Sequence, residues 1–336
     1  MNENKIDVAC IGSACIDCIV SVQDVMRFEM FDKDIVKKYT AVEYSSKVNV
    51  DEMHFVPGGS AANISIDLRY LNLNTAYIGK LGDDSLGQEC IQDFKENGVN
   101  IEGIHLDKSP TGLSVIILSP WGKDRSILSY KGANNLIMPS DLNENIIKSS
   151  KSLVWTSLTS DSGVATIQKC IDLMKAKNGL IFAGPSMSIL SKKRNDAINF
   201  VRQSHVLSLN KDELQVLTGE KNIDLGLEKV LEWGPKLIAC TDGRNGCTMT
   251  DGTDIIHAPI YDVDTKDTTG AGDAFLSGII YSRLSNFNIN QTIKFATAFS
   301  AFECMVLGVR EGFPSSVDEI SNFIETHDLN IKERKF

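Results

Sequence analysis

Short β-branched runs alternate with longer amphipathic runs along most of the chain. The short runs predict strands at 6–12, 75–81, 113–119, 152–158, 179–184, 205–210 and 235–240. Apolar residues at helical spacing predict helices at 60–71, 84–97, 161–177, 188–201, 211–218 and 222–233, followed by three more at about 271–285, 290–307 and 316–326. This rhythm indicates βαβ units. We therefore predict an α/β fold with a central, mostly parallel sheet flanked by helices.

Two segments break this rhythm, at about 18–57 and 101–130. They contain short strand-like stretches such as KVNVDEMHFV and DRSILSYKG, although residues 27–39 predict a helix-like piece. We interpret the two segments as a small β lid inserted into a single domain covering 1–336, because no repeat or long linker separates them. Ligands of open α/β sheets bind where the carboxyl ends of the strands meet, so the lid is expected to lie over that edge.

Composition narrows the class of protein. The 336 residues are 42% hydrophobic and 23% charged, with no apolar run long enough to span a membrane and no secretory start, which predicts a soluble cytoplasmic protein. A net charge of −10 without a basic cluster argues against a nucleic-acid partner. The eight cysteines lie in apolar segments and predict reduced thiols. Cys15 and Cys18 form a CxxC without a second ligand pair, so core packing is favoured over zinc binding.

The stretch DTTGAGDAF at 267–275 combines glycines with the start of an apolar helix. Gly270 and Gly272 permit a backbone that exposes several N–H groups, and the helix N-terminus adds a favourable dipole for an anion. An ordinary turn with Asp273 in the first helical turn is the alternative, and the whole string favours the anion site over it.

Three shorter motifs each allow a structural and a functional interpretation. In GGSAAN, Gly58 and Gly59 bring backbone close to a polyhydroxylated ligand, or simply form a turn before a helix. In NKDE, Asn210 and Glu213 have the spacing of a capping box, which spacing alone favours. The glycines of TDGRNG at 241–246 are equally explained by a hairpin turn.

Together these motifs resemble the signatures of the ribokinase-like, or PfkB-type, carbohydrate kinases. DTTGAGDAF is similar to the second signature of the family; PGGSAANIS at 57–65 with IGKLGDDSLG at 78–87 is similar to the first. LNKDE and CTDGRNG match intermediate motifs in order, and the likeness extends from about Ile6 to the C-terminal helices. The P-loop, HRD/DFG, HExxH and GxSxG motifs do not occur.

The resemblance implies a kinase that uses ATP and Mg²⁺ to phosphorylate a hydroxyl, often a hydroxymethyl group, of a sugar or nucleoside. It makes Asp273 the catalytic base. It also implies that the backbone N–H groups of Gly270, Ala271 and Gly272 stabilise the negative charge of the transferring phosphoryl group. The implied substrate-binding residues are Asp17, Gly58, Gly59, Asn63, Lys131 and Asn134. The implied ATP-binding residues are Asn210, Glu213, Thr241, Gly243, Gly246 and Thr297, with Glu213 organising Mg²⁺ through water. Asp267 and Thr269, with Gly308 and Ser315 or Ser316, correspond to a potassium-type cation site of some members.

The substrate is less well defined by the resemblance. Where ribokinases carry GGKGAN, this chain has Ser60 and Ala61, and its segment between Asp17 and Gly58 is long, which puts ribose in doubt. No basic cluster suits a phosphorylated substrate, so a neutral sugar is favoured, with a nucleoside as the alternative. His54 could contact the ligand from the lid.

A non-catalytic regulator would lack the base or the anion loop, and both are present. Apolar alternation in the lid strands leaves a homodimer through the lid open.

Overall fold

The computed structural model describes residues 5–32, 35–119, 125–306, 308, 313–314 and 316–336. Its strands are β1 (Val8–Ile11), β2 (Cys15–Ser21), β3 (Met26–Asp32), β4 (Ile35–Ala41), β5 (Glu52–Gly58), β6 (Thr75–Gly82), β7 (Asn100–Asp107), β8 (Gly112–Leu118), β9 (Arg125–Tyr130), β10 (Ser152–Trp155), β11 (Leu180–Ala183), β12 (Val206–Asn210), β13 (Leu237–Thr241), β14 (Cys247–Thr250), β15 (Asp254–Ala258) and β16 (Lys332–Lys335). Its helices are α1 (Ser60–Tyr70), α2 (Ser85–Glu96), α3 (Glu144–Ser149), α4 (Asp161–Lys175), α5 (Met187–Lys192), α6 (Arg194–Arg202), α7 (Lys211–Thr218), α8 (Ile223–Trp233), α9 (Ala271–Leu284), α10 (Ile289–Cys304) and α11 (Val317–Thr326).

A ten-stranded sheet forms the centre of the fold, in the order β16-β15-β14-β13-β12-β11-β10-β1-β6-β7. The strands from β13 to β7 pair in parallel, and β14, β15 and β16 add antiparallel strands at one edge. The parallel strands are buried on both faces. In β1, for example, Val8 and Cys10 join one apolar cluster while Ala9 and Ile11 join the other. The predicted α/β architecture is confirmed.

Helices cover both faces of this sheet. The cluster on one face draws on α1, α9, α10 and α11, whereas the cluster on the opposite face draws on α3 to α8. Within the described part of the chain, no helix is long and apolar enough to cross a membrane. Because these strands run in parallel, their carboxyl ends lie at one edge of the sheet, where the connecting loops gather.

A second, four-stranded sheet with the order β5-β2-β8-β9 stands next to that edge. It is joined to the large sheet because β2 follows β1 after a link of only three residues, 12–14. One of its faces is apolar and includes Cys18, Val20, Val115 and Ile117. We call this the small sheet. That it acts as a lid stays a prediction.

Three predicted elements differ from the structure. Residues 27–39 lie in the hairpin β3–β4 rather than in a helix, because Met26, Phe28 and Met30 alternate with polar residues and the Phe28 ring stacks on its cross-strand partner Tyr39 at 5.1 Å. Residues 101–107, assigned above to the lid, belong to β7, which pairs with β6 at the edge of the large sheet. The helix predicted at 188–201 is interrupted at Lys193, between α5 and α6.

Candidate active site

The glycine-rich loop at 267–272 ends at the N-terminus of α9. Gly270 is the N-cap residue and has a left-handed backbone (φ 78°), which glycine adopts without the penalty of a Cβ. A Cβ on Gly272 would meet no atom within 4 Å, so this first turn faces open space. Because the first N–H groups of a helix have no partner within it, the turn presents donors to a ligand outside.

The body of α9 is anchored in the core, which fixes the position of this turn. A Cβ on Gly278 would lie 2.6 Å from Cα of Ala296, so α9 and α10 pack with their backbones close together. At the start of α9, the Ser300 hydroxyl of α10 donates to the carbonyl of Ala271 at 2.9 Å. The N-terminus of α9 is thus a rigid platform rather than a loose loop.

Asp273, in the first turn of α9, meets Asn63 of α1. Asn63 Nδ2 donates to Asp273 Oδ2 at 2.8 Å, and a second link between the same helices joins Ser277 Oγ to Asp67 Oδ2 at 3.0 Å. Asn63 is itself 5% exposed and its N–H donates to the carbonyl of Gly59, so the two glycine-rich motifs are brought together. The carboxylate of Asp273 is consequently held in one orientation at the cleft.

Asp17 lies against the first of these motifs. Strands β2 and β5 pair with Cys15 opposite Gly58, and a Cβ on Gly58 would lie only 2.3 Å from Asp17 Oδ2. The next residue, Gly59, has φ 100° and would place a Cβ 2.7 Å from the carbonyl of Ser13. Glycine is required at both positions because the chain segments approach so closely, and the buried Asp17 carboxylate lies directly against Gly58.

Asn134 does not offer its side chain freely to a substrate. Its Oδ1 accepts from the N–H of Ala14 at 3.1 Å, while its Nδ2 donates to the carbonyls of Ala14 at 2.8 Å and of Lys131 at 3.1 Å. Both amide hydrogens are used by backbone carbonyls, and the role of Asn134 in substrate binding stays a prediction. Asn134 instead fixes the link that leads to Asp17. Lys131 follows β9 directly, at the edge of the small sheet.

Asn210 and Glu213 form the capping box that their spacing predicts. Asn210 Oδ1 accepts from the N–H of Glu213 at 2.9 Å, and Glu213 Oε2 accepts from the N–H of Asn210 at 2.9 Å. Glu213 Oε1 accepts from the N–H of Met187 at 3.1 Å. Burial, with smaller contributions from the negative charges of Asp273 and Asp212, raises the pKa of Glu213 to about 7.

The residues predicted to lie along the nucleotide gather at the ends of β12 and β13. Thr241 pairs with Asn210 on one side and with Cys247 on the other, and residues 243–245 form a single turn of 3₁₀-helix between β13 and β14. Gly243 (φ 53°) faces open space, whereas Gly246 (φ 84°) is pressed against the carbonyl of Ala258. The hairpin interpretation of this loop is therefore confirmed as its structure.

Residues 5–316 match the pfkB family of carbohydrate kinases. The chain belongs to this family. It is 28% identical over 286 residues to a protein named probable fructokinase-2 of Arabidopsis thaliana, covering 79% of this chain and 86% of that protein. It is 23% identical over 335 residues to an ATP-dependent 6-phosphofructokinase of Thermoanaerobacterium thermosaccharolyticum, covering 98% of this chain and 97% of that protein.

Solved structures show the same fold. A putative ribokinase II from E. coli in complex with ATP and Mg²⁺ superposes with a TM-score of 0.80 at 21% identity, covering 96% of this chain and 100% of that chain. The adenosine kinase from Sinorhizobium meliloti gives a TM-score of 0.78 at 22% identity, covering 96% and 99%. The predicted family, the ribokinase-like fold and the enzyme class, a phosphotransferase with an alcohol group as acceptor, are confirmed.

Several predicted site residues of this kinase also have partners within the protein itself. Thr297 is 7% exposed and its hydroxyl donates to the carbonyl of Ile293 at 2.7 Å, beside Cys247. Ser316 caps α11 by accepting from the N–H of Glu319, and Ser315 lies outside the described residues. His54 is exposed on β5, 3.9 Å from Glu52. Among the described residues, no cluster of three or more His, Cys, Asp or Glu suits a metal ion.

Asp267 and Thr269 are close together, as expected. The N–H and hydroxyl of Thr269 donate to Asp267 Oδ1 at 2.9 Å and 2.8 Å, and the N–H of Gly308 donates to Oδ2 at 3.4 Å. The sequence gives no hint of a further partner, Arg125, whose Nη1 donates to the same Oδ1 at 3.3 Å. Arg125 lies 142 positions earlier, and only the packing of the small sheet brings it to this loop.

Proposed function

We propose that this kinase transfers the γ-phosphoryl group of ATP to a hydroxymethyl group of a small neutral sugar, with Asp273 as general base. The observation that carries the proposal is the hydrogen bond of 2.8 Å between Asn63 and Asp273, since it holds a carboxylate next to the substrate-side glycines and the anion loop together. Asp273 takes the proton of the hydroxyl, the oxygen bonds to the γ-phosphorus, and the bond to ADP breaks.

The acid and the backbone donors serve different reactants in this scheme. The N–H groups around Gly270, Ala271 and Gly272 bind the phosphoryl oxygens, on which negative charge is concentrated during transfer. Asp273 faces the attacking hydroxyl, because its Oδ2 is directed by Asn63 from the substrate side. Alignment of the two reactants accounts for most of the rate enhancement, and proton transfer completes it.

Sugar recognition is proposed to depend on Asp17. Its carboxylate can accept hydrogen bonds from two adjacent hydroxyls, and the lack of side chains at Gly58 and Gly59 lets this turn pack closely against Asp17 and Ser13. Lys131, at the end of β9, is the one charged donor predicted on this side. Because the Asp17 carboxylate repels a second negative charge, a neutral sugar fits beside it better than a sugar phosphate.

The residues around Glu213 fit a hydrated metal–nucleotide complex. Mg²⁺ would neutralise charge on the ATP phosphates. Each Glu213 oxygen accepts one backbone N–H and retains lone-pair capacity for a metal-bound water, so Asn210 and Glu213 can orient that hydration shell. Thr241, Gly243 and Gly246 are proposed to border the nucleotide, with Thr297 packed beneath the adenine.

A nucleoside is the second candidate substrate. The fold matches an adenosine kinase as closely as it matches several ribokinases, with TM-scores of 0.78 and 0.77 to 0.81. The segment between Asp17 and Gly58, which includes the hairpin β3–β4, is long enough to provide an additional surface for a base. The relatives named fructokinase favour the sugar.

A panel of neutral sugars, sugar phosphates and nucleosides with ATP and Mg²⁺, assayed for ADP release and for the phosphorylated product, tests the proposal. We expect turnover with a neutral hexose or pentose. Turnover only with adenosine-type nucleosides would favour the second candidate. ADP release that does not depend on any hydroxylated acceptor would overturn both.

We also propose that two copies of the kinase associate through the small sheet. On one face a continuous apolar row consists of Phe55, Cys18, Val115 and Leu128, and its outer members Phe55 and Leu128 are 49% and 63% exposed. The buried Cys18 leaves the two exposed ends of the row as the apolar surface suited to a matching surface on a second copy.

The eight cysteines are free thiols, which supports the proposal that the enzyme acts in the reducing cytoplasm.

A further inference from the structure

Asp267 stands where the family resemblance implies a potassium-type cation, and the Oδ1 oxygen of its carboxylate already accepts three hydrogen bonds. Oδ1 accepts from the N–H of Thr269 at 2.9 Å, from the hydroxyl of Thr269 at 2.8 Å and from Nη1 of Arg125 at 3.3 Å. A carboxylate oxygen offers about two lone-pair directions, so three donors leave Oδ1 without a free one. Oδ2 accepts from the N–H of Gly308.

Arg125 also contacts two oxygen atoms of the neighbouring residue, Thr268. Its Nη1 contacts the hydroxyl oxygen of Thr268 at 3.1 Å, and its Nη2 donates to the carbonyl of Thr268 at 3.4 Å. A monovalent cation at Asp267 would compete with Arg125 for the same carboxylate oxygen, Oδ1. The guanidinium therefore lies at the carboxylate that the cation would bind, and it supplies the same single positive charge.

The ion pair of Arg125 and Asp267 is partly shielded from solvent. The side chain of Asp267 is 12% exposed and that of Arg125 is 24% exposed, so the pair is screened less than a surface pair would be. The loop that follows holds the N–H groups of Gly270 to Gly272. Neutralising Asp267 keeps an uncompensated negative charge away from the site where the phosphoryl group binds.

We propose that the guanidinium of Arg125 replaces the monovalent cation at Asp267, so that the anion loop is ordered and neutralised without potassium. Arg125 is a positioning residue, because it touches Asp267 and Thr268 rather than the reacting atoms. Since it is the first residue of β9, it also joins the small sheet to the anion loop. The residues present do not fit a potassium ion while Arg125 holds this place.

Thermal unfolding in potassium chloride or in choline chloride, without substrate, tests the ion site directly. Choline is monovalent and too bulky for the oxygen set of the loop. We expect the wild-type midpoint to agree in the two salts within about 1 °C. Arg125→Met should lose about 2 to 4 °C in choline chloride and regain most of it in potassium chloride, because potassium can then reach Asp267.

Two further variants distinguish charge from packing. Arg125→Lys keeps the positive charge and should show no potassium response. Arg27→Met removes the surface pair of Arg27 with Glu29 on the hairpin β3–β4 and should behave like the wild type in both salts. A potassium-specific rise of the wild-type midpoint, or an Arg125→Met midpoint that does not differ between the salts, would overturn the proposal.

Turnover gives a second readout, which rests on the proposed function. We expect wild-type turnover to be indifferent to the salt, and Arg125→Met turnover to fall about tenfold in choline chloride and to recover in potassium chloride. A strict potassium requirement of the wild-type enzyme would contradict the proposal. The thermal experiment needs no turnover, so an absence of kinase activity with every acceptor would count against the proposed function alone.

Discussion

The hydrogen bond from Asn63 to Asp273 joins residues 210 positions apart and is the most specific single contact of the site. Asn63→Ala removes a charge-assisted donor worth about 1.5 to 3 kcal/mol, so we expect turnover to fall about 10- to 100-fold. The remaining activity reflects a base that is present but no longer oriented. Steady-state kinetics with the sugar identified by the panel measures the change.

Ser277→Ala is the matched control, because the buried Ser277 hydroxyl joins the same two helices through Asp67 and contacts the backbone carbonyl of Asp273 rather than its carboxylate. It should lower the free energy of unfolding and leave turnover nearly unchanged. If the two variants lose activity equally, the role of Asn63 is helix packing and not orientation of the base.

Glu213 provides a prediction about pH. Its pKa is raised from 4.5 to about 7, mainly by burial, so the folded protein holds a proton that the unfolded chain has already released between these values. The resulting stability is fully present below a pH of about 4.5 and is lost as the pH rises through about 7.

Urea unfolding of the wild type and of Glu213→Gln at a series of pH values measures this effect. The glutamine side chain preserves the capping box and does not titrate. Relative to the Glu213→Gln variant, the wild type should lose on the order of 2 kcal/mol of unfolding free energy between about pH 5 and about pH 8. A difference that stays constant with pH would show that Glu213 is ionised in the folded protein throughout.

At the level of elements, hydrophobic periodicity predicts most of the helices and parallel strands around the central sheet, although it does not reveal the short α3 or the break between α5 and α6 at Lys193. It failed at 27–39, where the residues between Met26 and Tyr39 fit helical and alternating patterns alike. There the cross-strand pair of Phe28 and Tyr39 decided the outcome. It also failed at 101–107, because membership of one sheet or another depends on pairing and not on the local sequence.

The turn that follows β9 supports the substrate side through Asn134. Asn134→Ala leaves the N–H and carbonyl of Ala14 without their partners in a buried place, which should cost about 2 to 4 kcal/mol of unfolding free energy. We also expect a higher KM for the sugar, because Ala14 leads directly into the strand that carries Asp17. Denaturant unfolding and kinetics measure the two effects.

Asn135→Ala is the control for this prediction. Asn135 lies in the same turn and accepts one hydrogen bond from Thr159 at 3.2 Å. Its loss should cost less stability and leave the KM unchanged. If Asn134→Ala has the same KM for the sugar as the wild type, this turn does not contribute to substrate binding.

For the whole molecule, the carboxyl ends of parallel strands bring distant loops to one edge, which is where the sequence motifs predict the site. That rule anticipated the meeting of the glycine motif at 58–59 with the loop at 270–273. It could not anticipate that Asn134 bonds to backbone or that Arg125 reaches Asp267, since both depend on how the small sheet packs against the large one. The residue types at positions 125 and 134 do not by themselves indicate these contacts.

Association through the small sheet is the prediction at this scale. Sedimentation velocity should show a dimer, and Leu128→Ser with Phe55→Ser should shift the protein toward monomer, because the two substitutions interrupt the exposed apolar row. Leu225→Ser on α8, where Leu225 is 51% exposed, is the control and should leave the dimer intact. A wild-type protein that sediments as a monomer at all concentrations would contradict the proposed interface.

The most direct test of the proposed mechanism compares phosphoryl transfer by the wild type and by Asp273→Asn, with sugar and ATP binding measured by calorimetry. The asparagine side chain keeps an oxygen that can accept from Asn63 but cannot take the proton of the hydroxyl. We predict that turnover falls about 10²- to 10⁴-fold while both ligands still bind with nearly wild-type affinity. Turnover of Asp273→Asn close to that of the wild type would contradict the assignment of Asp273 as the base.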